Sequence, residues 1–180
     1  MTWGCGTGAS DIYLAGKIKE PAKPVAVAVP AETLKRYVGI YREPLTDAVT
    51  RVGLDGNGKA LRIGGQPVLP LSGTEFTTAD GSRRMTFEPG ISGAPLKMTD
   101  SDGRSKRRLW EAVPAFAPKP AELEAYAGVY YSEEIDTTYT VYAEGGKLKV
   151  RFRPAQRFEL APAYADAFEE DGDVMRFTRD

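Results

Sequence analysis

Pro30-Ala-Glu-Thr-Leu34-Lys-Arg-Tyr37-Val-Gly39-Ile-Tyr41 and Pro120-Ala-Glu-Leu123-Glu-Ala-Tyr126-Ala-Gly128-Val-Tyr130 are two versions of one opening. Their Leu, Tyr, Gly and Tyr markers recur at a single separation of 89 residues. The likeness continues in the same order. Gly58-Lys-Ala-Leu61-Arg-Ile63 matches Gly146-Lys-Leu148-Lys-Val150. Pro70 and Phe76 match Pro162 and Phe168 at a separation of 92, and Met85-Thr-Phe87 matches Met175-Arg-Phe177 at 90. Separations that drift while order is kept are what loop insertions leave in a duplicated unit.

Each opening predicts a short turn of helix. Proline costs nothing in a first turn, and the following Glu faces the positive end of the helix dipole. Leu34 and Tyr37, like Leu123 and Tyr126, are three apart and share a face. They are expected to plug one end of the β structure that each helix precedes, and Gly39 and Gly128 are expected to stop the helix.

The remainder reads as strands. Lys147-Leu-Lys-Val-Arg-Phe152 alternates polar and apolar residues, and Thr138-Tyr-Thr-Val-Tyr142 is rich in β-branched and aromatic side chains. Asp55-Gly-Asn57-Gly58, Asp80-Gly81, Asp102-Gly103, Gly145-Gly146 and Asp171-Gly172 mark hairpin turns, because Gly and Asn tolerate positive φ. Many short antiparallel strands indicate an all-β barrel or sandwich. The two copies are unequal. Copy one continues past Phe87 to Val113, through Leu96-Lys-Met98 and Arg108-Leu-Trp110, whereas only three residues follow Phe177. The second sheet is therefore expected to lack its final strands and to expose an unpaired edge.

These patterns divide the chain into residues 1–18 as a disordered start and remnant helix, 19–30 as a linker, 31–115 as unit 1 and 116–180 as an incomplete unit 2. Ser10-Asp-Ile12-Tyr13-Leu14 reads as a short helix capped by Ser10 and belongs to neither copy. Met1–Ser10 lacks the basic and apolar regions of a secretory signal. No apolar run reaches the ~18 residues that span a bilayer as a helix.

Composition narrows the chemistry. The chain has no histidine, one cysteine (Cys5) and a net charge of −1. The usual general base, the commonest metal ligand, an intrachain disulfide and a thiolate zinc site are excluded. A nucleic-acid partner is not indicated either, since that calls for a strongly basic face.

Each remaining candidate has a plainer reading. None of Ser10, Ser72, Ser82, Ser92, Ser101, Ser105 and Ser132 opens a Ser-x-x-Lys motif. Asp55-Gly-Asn57 starts like a calcium loop but has Gln66 at the twelfth position. Asp100-Ser-Asp102 reaches Glu111 but carries Arg104 and Ser105 where an oxygen ligand and glycine belong. Hairpin turns account for both. Glu133-Glu134-Ile-Asp136 and Glu169-Glu170-Asp171-Gly-Asp173 offer paired carboxylates, and Arg104-Ser-Lys-Arg-Arg108 offers a basic run. Solvated strand ends explain these more simply. Gly4-Cys-Gly-Thr-Gly8 lacks the preceding strand of a dinucleotide loop. Tyr41, Phe76, Phe87, Trp110, Tyr130, Tyr139, Phe168 and Phe177 either line a ligand cavity or fill a core, and the core is the simpler reading. The chain is read with no catalytic, cofactor-binding or metal residue and no cofactor.

Tyr126-Ala-Gly-Val-Tyr-Tyr-Ser132-Glu-Glu-Ile135, Gly146-Lys-Leu148, Leu160-Ala-Pro162, Ala165-Asp166-Ala-Phe168 and Arg176-Phe-Thr-Arg-Asp180 resemble the C-terminal accessory domains of bacterial β-lactamase-related (class C-like) serine hydrolases. The resemblance covers most of residues 31–180. It implies two tandem small lipocalin-like barrels, the second truncated, each preceded by a short helical turn. Asp11-Ile-Tyr-Leu-Ala15 is similar to the last helix of the hydrolase domain. The family's Ser-x-x-Lys and Tyr-x-Asn motifs have no counterpart here. The implied function is a non-catalytic accessory module, a fragment of a longer hydrolase, which packs on or shields the catalytic domain or mediates self-association. The implied partners are that upstream domain or a second copy meeting an exposed sheet edge, and the implied location is periplasmic or secreted. The alternative expectation is an independent small-molecule-binding barrel.

Overall fold

The computed structural model describes residues 24–90, 94–103, 107–133, 136–153 and 156–178. The segments predicted as a remnant helix and disordered start (1–18) lie outside the described residues.

Unit 1 opens with α1 (Ala31–Lys35) and continues through β1 (Gly39–Arg42), β2 (Val49–Leu54), β3 (Leu61–Ile63), β4 (Gln66–Pro67) and β5 (Leu69–Pro70). Strands β6 (Glu75–Thr77), β7 (Arg84–Glu88), β8 (Lys97–Ser101) and β9 (Arg107–Val113) complete it. The sheet order is β4-β3-β2-β1-β9-β8-β7-β6-β5, antiparallel throughout. Its two end strands are separated in the chain by Val68 alone, so the sheet curls into a nearly closed barrel that meets at one bent segment. Prolines 67 and 70 flank that bend, where a missing N–H is least costly. Val68 N–H donates to the Leu61 carbonyl (3.1 Å) and its side chain is buried.

Unit 2 repeats the plan with α2 (Pro120–Leu123), a 3-10 turn (Glu124–Tyr126), β10 (Gly128–Ser132), β11 (Thr137–Glu144) and β12 (Lys147–Arg153). It ends with β13 (Gln156–Tyr164), β14 (Ala167–Glu170) and β15 (Asp173–Arg176). These six strands form a simple meander, an open half-barrel. Among the described residues it has no counterparts of β8 and β9, as the unequal copies predict.

Strand registers reproduce the duplication residue by residue. Tyr41 faces Thr50 across β1–β2, and Tyr130 faces Tyr139 across β10–β11. Phe76 lies between Pro70 and Met85, as Phe168 lies between Pro162 and Met175. The Tyr41 hydroxyl donates to the Tyr37 carbonyl (2.7 Å), and Tyr130 donates to Tyr126 in the same way (3.0 Å). The spacing Tyr-x-Gly-x-Tyr is thus the distance at which a strand tyrosine ties back to the preceding turn. The predicted plugs are in place: Leu34, Tyr37, Leu123 and Tyr126 are all buried in the two cores.

The glycines act differently from expectation. Helix α1 ends at Lys35 and α2 at Leu123, each before its glycine. Gly39 and Gly128 instead begin strands, and a Cβ on Gly128 would sit 3.4 Å from the Tyr130 ring. In unit 2 the helical turn gives way at Ala127, whose φ of −68° and ψ of 134° are extended. The predicted hairpins do form at their Gly and Asp residues. Gly145 and Gly146 join β11 to β12 with φ of 62° and 75°, a turn suited to the twist of the strands. The described part of the expected linker lies along unit 1, where Val27 N–H donates to the Pro70 carbonyl (2.9 Å) and Val29 packs on the core.

The units touch. Ala163, Tyr164 and Ala167 pack with Val49, Val113 and Val174. Asp47 sits at the margin of this contact, accepting from Arg42 (2.5 Å) and from Arg176 of unit 2 (3.2 Å). Partial burial works against ionisation of Asp47, but the hydrogen bonds from Arg176 and Arg42 prevail and hold its carboxyl below the ordinary value. A carboxylate so depressed contributes stability above its unfolded pKa of about 4 and loses it as pH falls through the folded value. Acidification below about pH 4 is therefore expected to loosen the contact between units, seen as faster amide exchange around Tyr164. Asp47→Asn should remove that pH dependence while tolerating the residue's φ of 60°.

Candidate functional site

Unit 1 leaves little interior unfilled by its own side chains. Tyr37, Tyr41, Phe76 and Phe87 form one aromatic cluster, with Phe87 stacked on Tyr37 at 4.2 Å. Met85, Met98 and Trp110 complete the core. A barrel of eight strands is just wide enough for such filling. Of the aromatic residues singled out in the sequence, Tyr41, Phe76, Phe87, Trp110, Phe168 and Phe177 are core, as the simpler reading has it.

Unit 2 differs because its concave face is not covered on all sides. A cleft of about 330 Å³ opens there. Tyr139 on β11, Phe152 on β12 and Phe158 on β13 wall it, and Leu160 and Met175 form its floor. Tyr139 and Phe152 stack at 5.4 Å between ring centres. Glu170 and Asp173 stand at its rim. They are cross-strand partners at the β14–β15 hairpin, so both carboxylates lie on one face.

The tip of the acidic hairpin is solvated as expected, with Asp171 and Asp173 exposed, while Glu169 and Glu170 are partly buried. Glu169 pairs with Arg51 of unit 1 and is largely sheltered, while Glu170 and Asp173 face the cleft. The other acidic run behaves as expected where it is described: Glu133 and Asp136 are exposed, and Asp136 accepts from the Tyr131 hydroxyl (2.6 Å). Glu134 lies outside the described residues.

The loops considered for calcium serve as turns. Asp55 accepts from the N–H groups of Lys59 (2.7 Å) and Ala60 (3.1 Å), and these bonds depress its pKa. Asp100 is buried against Arg83, and Glu111 pairs with Lys97 on the neighbouring strand. Among the described residues no cluster of three or more acidic or cysteine side chains is placed to hold a metal ion. Ser72 and Ser82 serve turns: Ser72 Oγ accepts from Glu75 N–H, and Ser82 Oγ donates to Asp80. Arg107 and Arg108 are exposed on β9, and the rest of the basic run lies outside the described residues, as do Cys5 and Gly4–Gly8.

A second feature is the free edge of β10. In unit 1 the matching strand β1 is paired on both sides, by β2 and β9. Among the described residues β10 pairs only with β11. Its outward residues Val129 and Tyr131 are 72% and 61% exposed. None of the residues Gly128–Ser132 is charged, although charge is the common protection of an open edge.

Phe152 and Phe158 were not singled out in the sequence. Aligning the copies in register is the signal that finds them, because unit 1 has Gly65 and Gln66 there. No described helix is long and apolar enough to cross a membrane. Comparison with models of known families found no match to this chain, and comparison with curated proteins found none either.

Proposed function

We propose that this chain is a non-catalytic accessory module of a β-lactamase-related serine hydrolase, whose second unit docks through the open edge of β10. The observation that carries the docking is the contrast between β1 and β10. One sequence pattern builds both strands, and unit 1 covers with β9 a side that no described strand of unit 2 covers. A strand added there would gain main-chain hydrogen bonds and bury Val129 and Tyr131. In a symmetric pair of copies, antiparallel contact centred on Tyr130 sets Val129 beside Tyr131 of the other copy. The catalytic domain of the hydrolase is the other candidate occupant. The hydrolase assignment rests on the resemblance of residues 31–180.

Sedimentation of the protein and of V129K/Y131K tests the docking. The wild-type chain is expected to self-associate, or to bind the hydrolase domain, at least ten-fold more tightly than the variant. Both side chains face solvent, so the variant should fold normally. Equal masses and equal binding would refute the edge as a dock. The hydrolase assignment has its own test. A Ser-x-x-Lys motif is expected in phase upstream, in a polypeptide that a fluorophosphonate probe labels on that serine.

The aromatic cleft favours a second reading, a small-molecule-binding unit.

A further inference from the structure

We infer that the cleft of unit 2 is a binding site for a small amphiphilic organic cation, an ammonium-type group carried on an aromatic or branched apolar body. The inference stands apart from edge docking and uses different residues.

The duplication supplies an internal control. Were the cleft only a core laid bare by absent strands, its lining would repeat the core of unit 1. Leu160 and Met175 do repeat it, matching Val68 and Met85 by register. The walls do not. Tyr139, Phe152, Phe158 and Glu170 stand where unit 1 has Thr50, Gly65, Gln66 and Thr78. The difference begins in strand length. Unit 1 turns at Gly64-Gly65 after a three-residue β3, whereas β12 runs for seven residues and β13 for nine. The extension adds a layer of aromatic side chains above the shared core.

Charge then selects among ligands. Among the described residues the cleft lining contains two carboxylates and no cation. Glu170 and Asp173 lie directly opposite each other across β14–β15, an arrangement that repels when both are ionised. Two described arginines of this region are engaged elsewhere: Arg51 pairs with Glu169 and Arg176 with Asp47. A cation at the rim relieves the repulsion, and its apolar body packs beside the stacked pair Tyr139 and Phe152. An anion meets two like charges at the entrance. Two carboxylates also fall short of the six or more oxygens that calcium takes. The volume of about 330 Å³ matches a compact organic molecule, at the small end of ligand pockets.

The test uses two fluorescent probes of opposite charge, dansylcadaverine (cationic) and anilinonaphthalene sulfonate (anionic), on the full 180-residue chain. Dansylcadaverine is expected to bind saturably and to be displaced by benzyltrimethylammonium, with the sulfonate at least ten-fold weaker. E170Q/D173N should weaken the cation at least ten-fold and narrow or reverse the preference between probes. The substitutions are isosteric, lie at the rim and remove a repulsion, so the melting temperature should be unchanged or higher. F152A should weaken both probes. Equal affinity for the two probes, cation binding that survives E170Q/D173N, or no saturable binding at millimolar probe would each overturn the assignment. Edge docking is read separately by sedimentation mass, so failure of either inference is distinguishable from failure of the other.

Discussion

Phe168→Ala is expected to cost about 4 kcal/mol and to unfold unit 2 while unit 1 stays folded. Phe168 is fully buried. It meets Phe116, Tyr126 and Phe177 edge-on at 5.9, 4.9 and 5.7 Å between ring centres. Truncation leaves a cavity and also breaks three aromatic contacts, each worth about 0.5–1.5 kcal/mol beyond area burial. The half-barrel cannot absorb such a loss easily, because six strands curl around one small core. The comparison that makes the prediction sharp is Phe76→Ala. Phe76 holds the same register position in unit 1 and is equally buried. Its substitution should cost a similar amount, yet unit 1 has β8 and β9 to hold it together. Urea unfolding followed at Trp110 (in a Trp3→Phe background) reports unit 1, and amide exchange in β11–β13 reports unit 2. If Phe168→Ala shifts both signals together, the units fold as one and the prediction fails.

The duplication was legible in the sequence because its markers are held by specific contacts. Tyr37, Gly39 and Tyr41 are spaced by a hydroxyl-to-carbonyl bond, and Leu34 and Tyr37 by the turn after α1 that carries both into the core. Such constraints act within a few residues, so they leave a pattern in the chain. The hairpin turns were legible for the same reason. The inequality of the copies also carried through: among the described residues unit 2 has no counterparts of β8 and β9.

The features that stayed hidden depend on partners distant in the chain. Alternation along β12 and β13 shows that Phe152 and Phe158 share a face with Val150 and Leu160. It does not show whether anything covers that face, which depends on strands elsewhere. Glu169 read as a solvated acid because its partner Arg51 is 118 residues away. The bend at Val68 stayed hidden because Pro67 and Pro70 mark the seam of a barrel only where β4 and β5 stand at the two ends of one sheet. In the candidate site, Tyr139 was named beforehand for its aromatic character, and Glu170 and Asp173 as part of an acidic run offering paired carboxylates. The role of Tyr139 emerged only from standing where unit 1 has Thr50.

Arg83→Met is the other substitution expected to have a large effect, about 2–3 kcal/mol on unit 1. Asp100 lies on β8 two residues beyond the core residue Met98, so its carboxylate points toward the interior at one end of the barrel. It is only 5% exposed. Arg83 reaches over it, donating from Nε at 3.2 Å and from Nη2, and this bonding raises the arginine pKa. Breaking a fully buried pair by removing one partner costs about 3–5 kcal/mol, because the remaining charge is stranded in low dielectric. Here the figure is reduced, since the guanidinium is half-exposed and water screens the pair from that side. Arg108, the cross-strand neighbour of Asp100, is also close enough to limit the loss. The double substitution Arg83→Met/Asp100→Leu separates the cost of a stranded charge from the worth of the pair. Removing both charges should restore most of the stability, because a well-packed apolar replacement is often neutral or better. Urea midpoints for the two single variants and the double variant close the cycle. A loss below about 0.5 kcal/mol for Arg83→Met would show that solvent, rather than the arginine, satisfies Asp100. A double variant no more stable than Arg83→Met alone would show that the arginine acts by packing its stem over the barrel end.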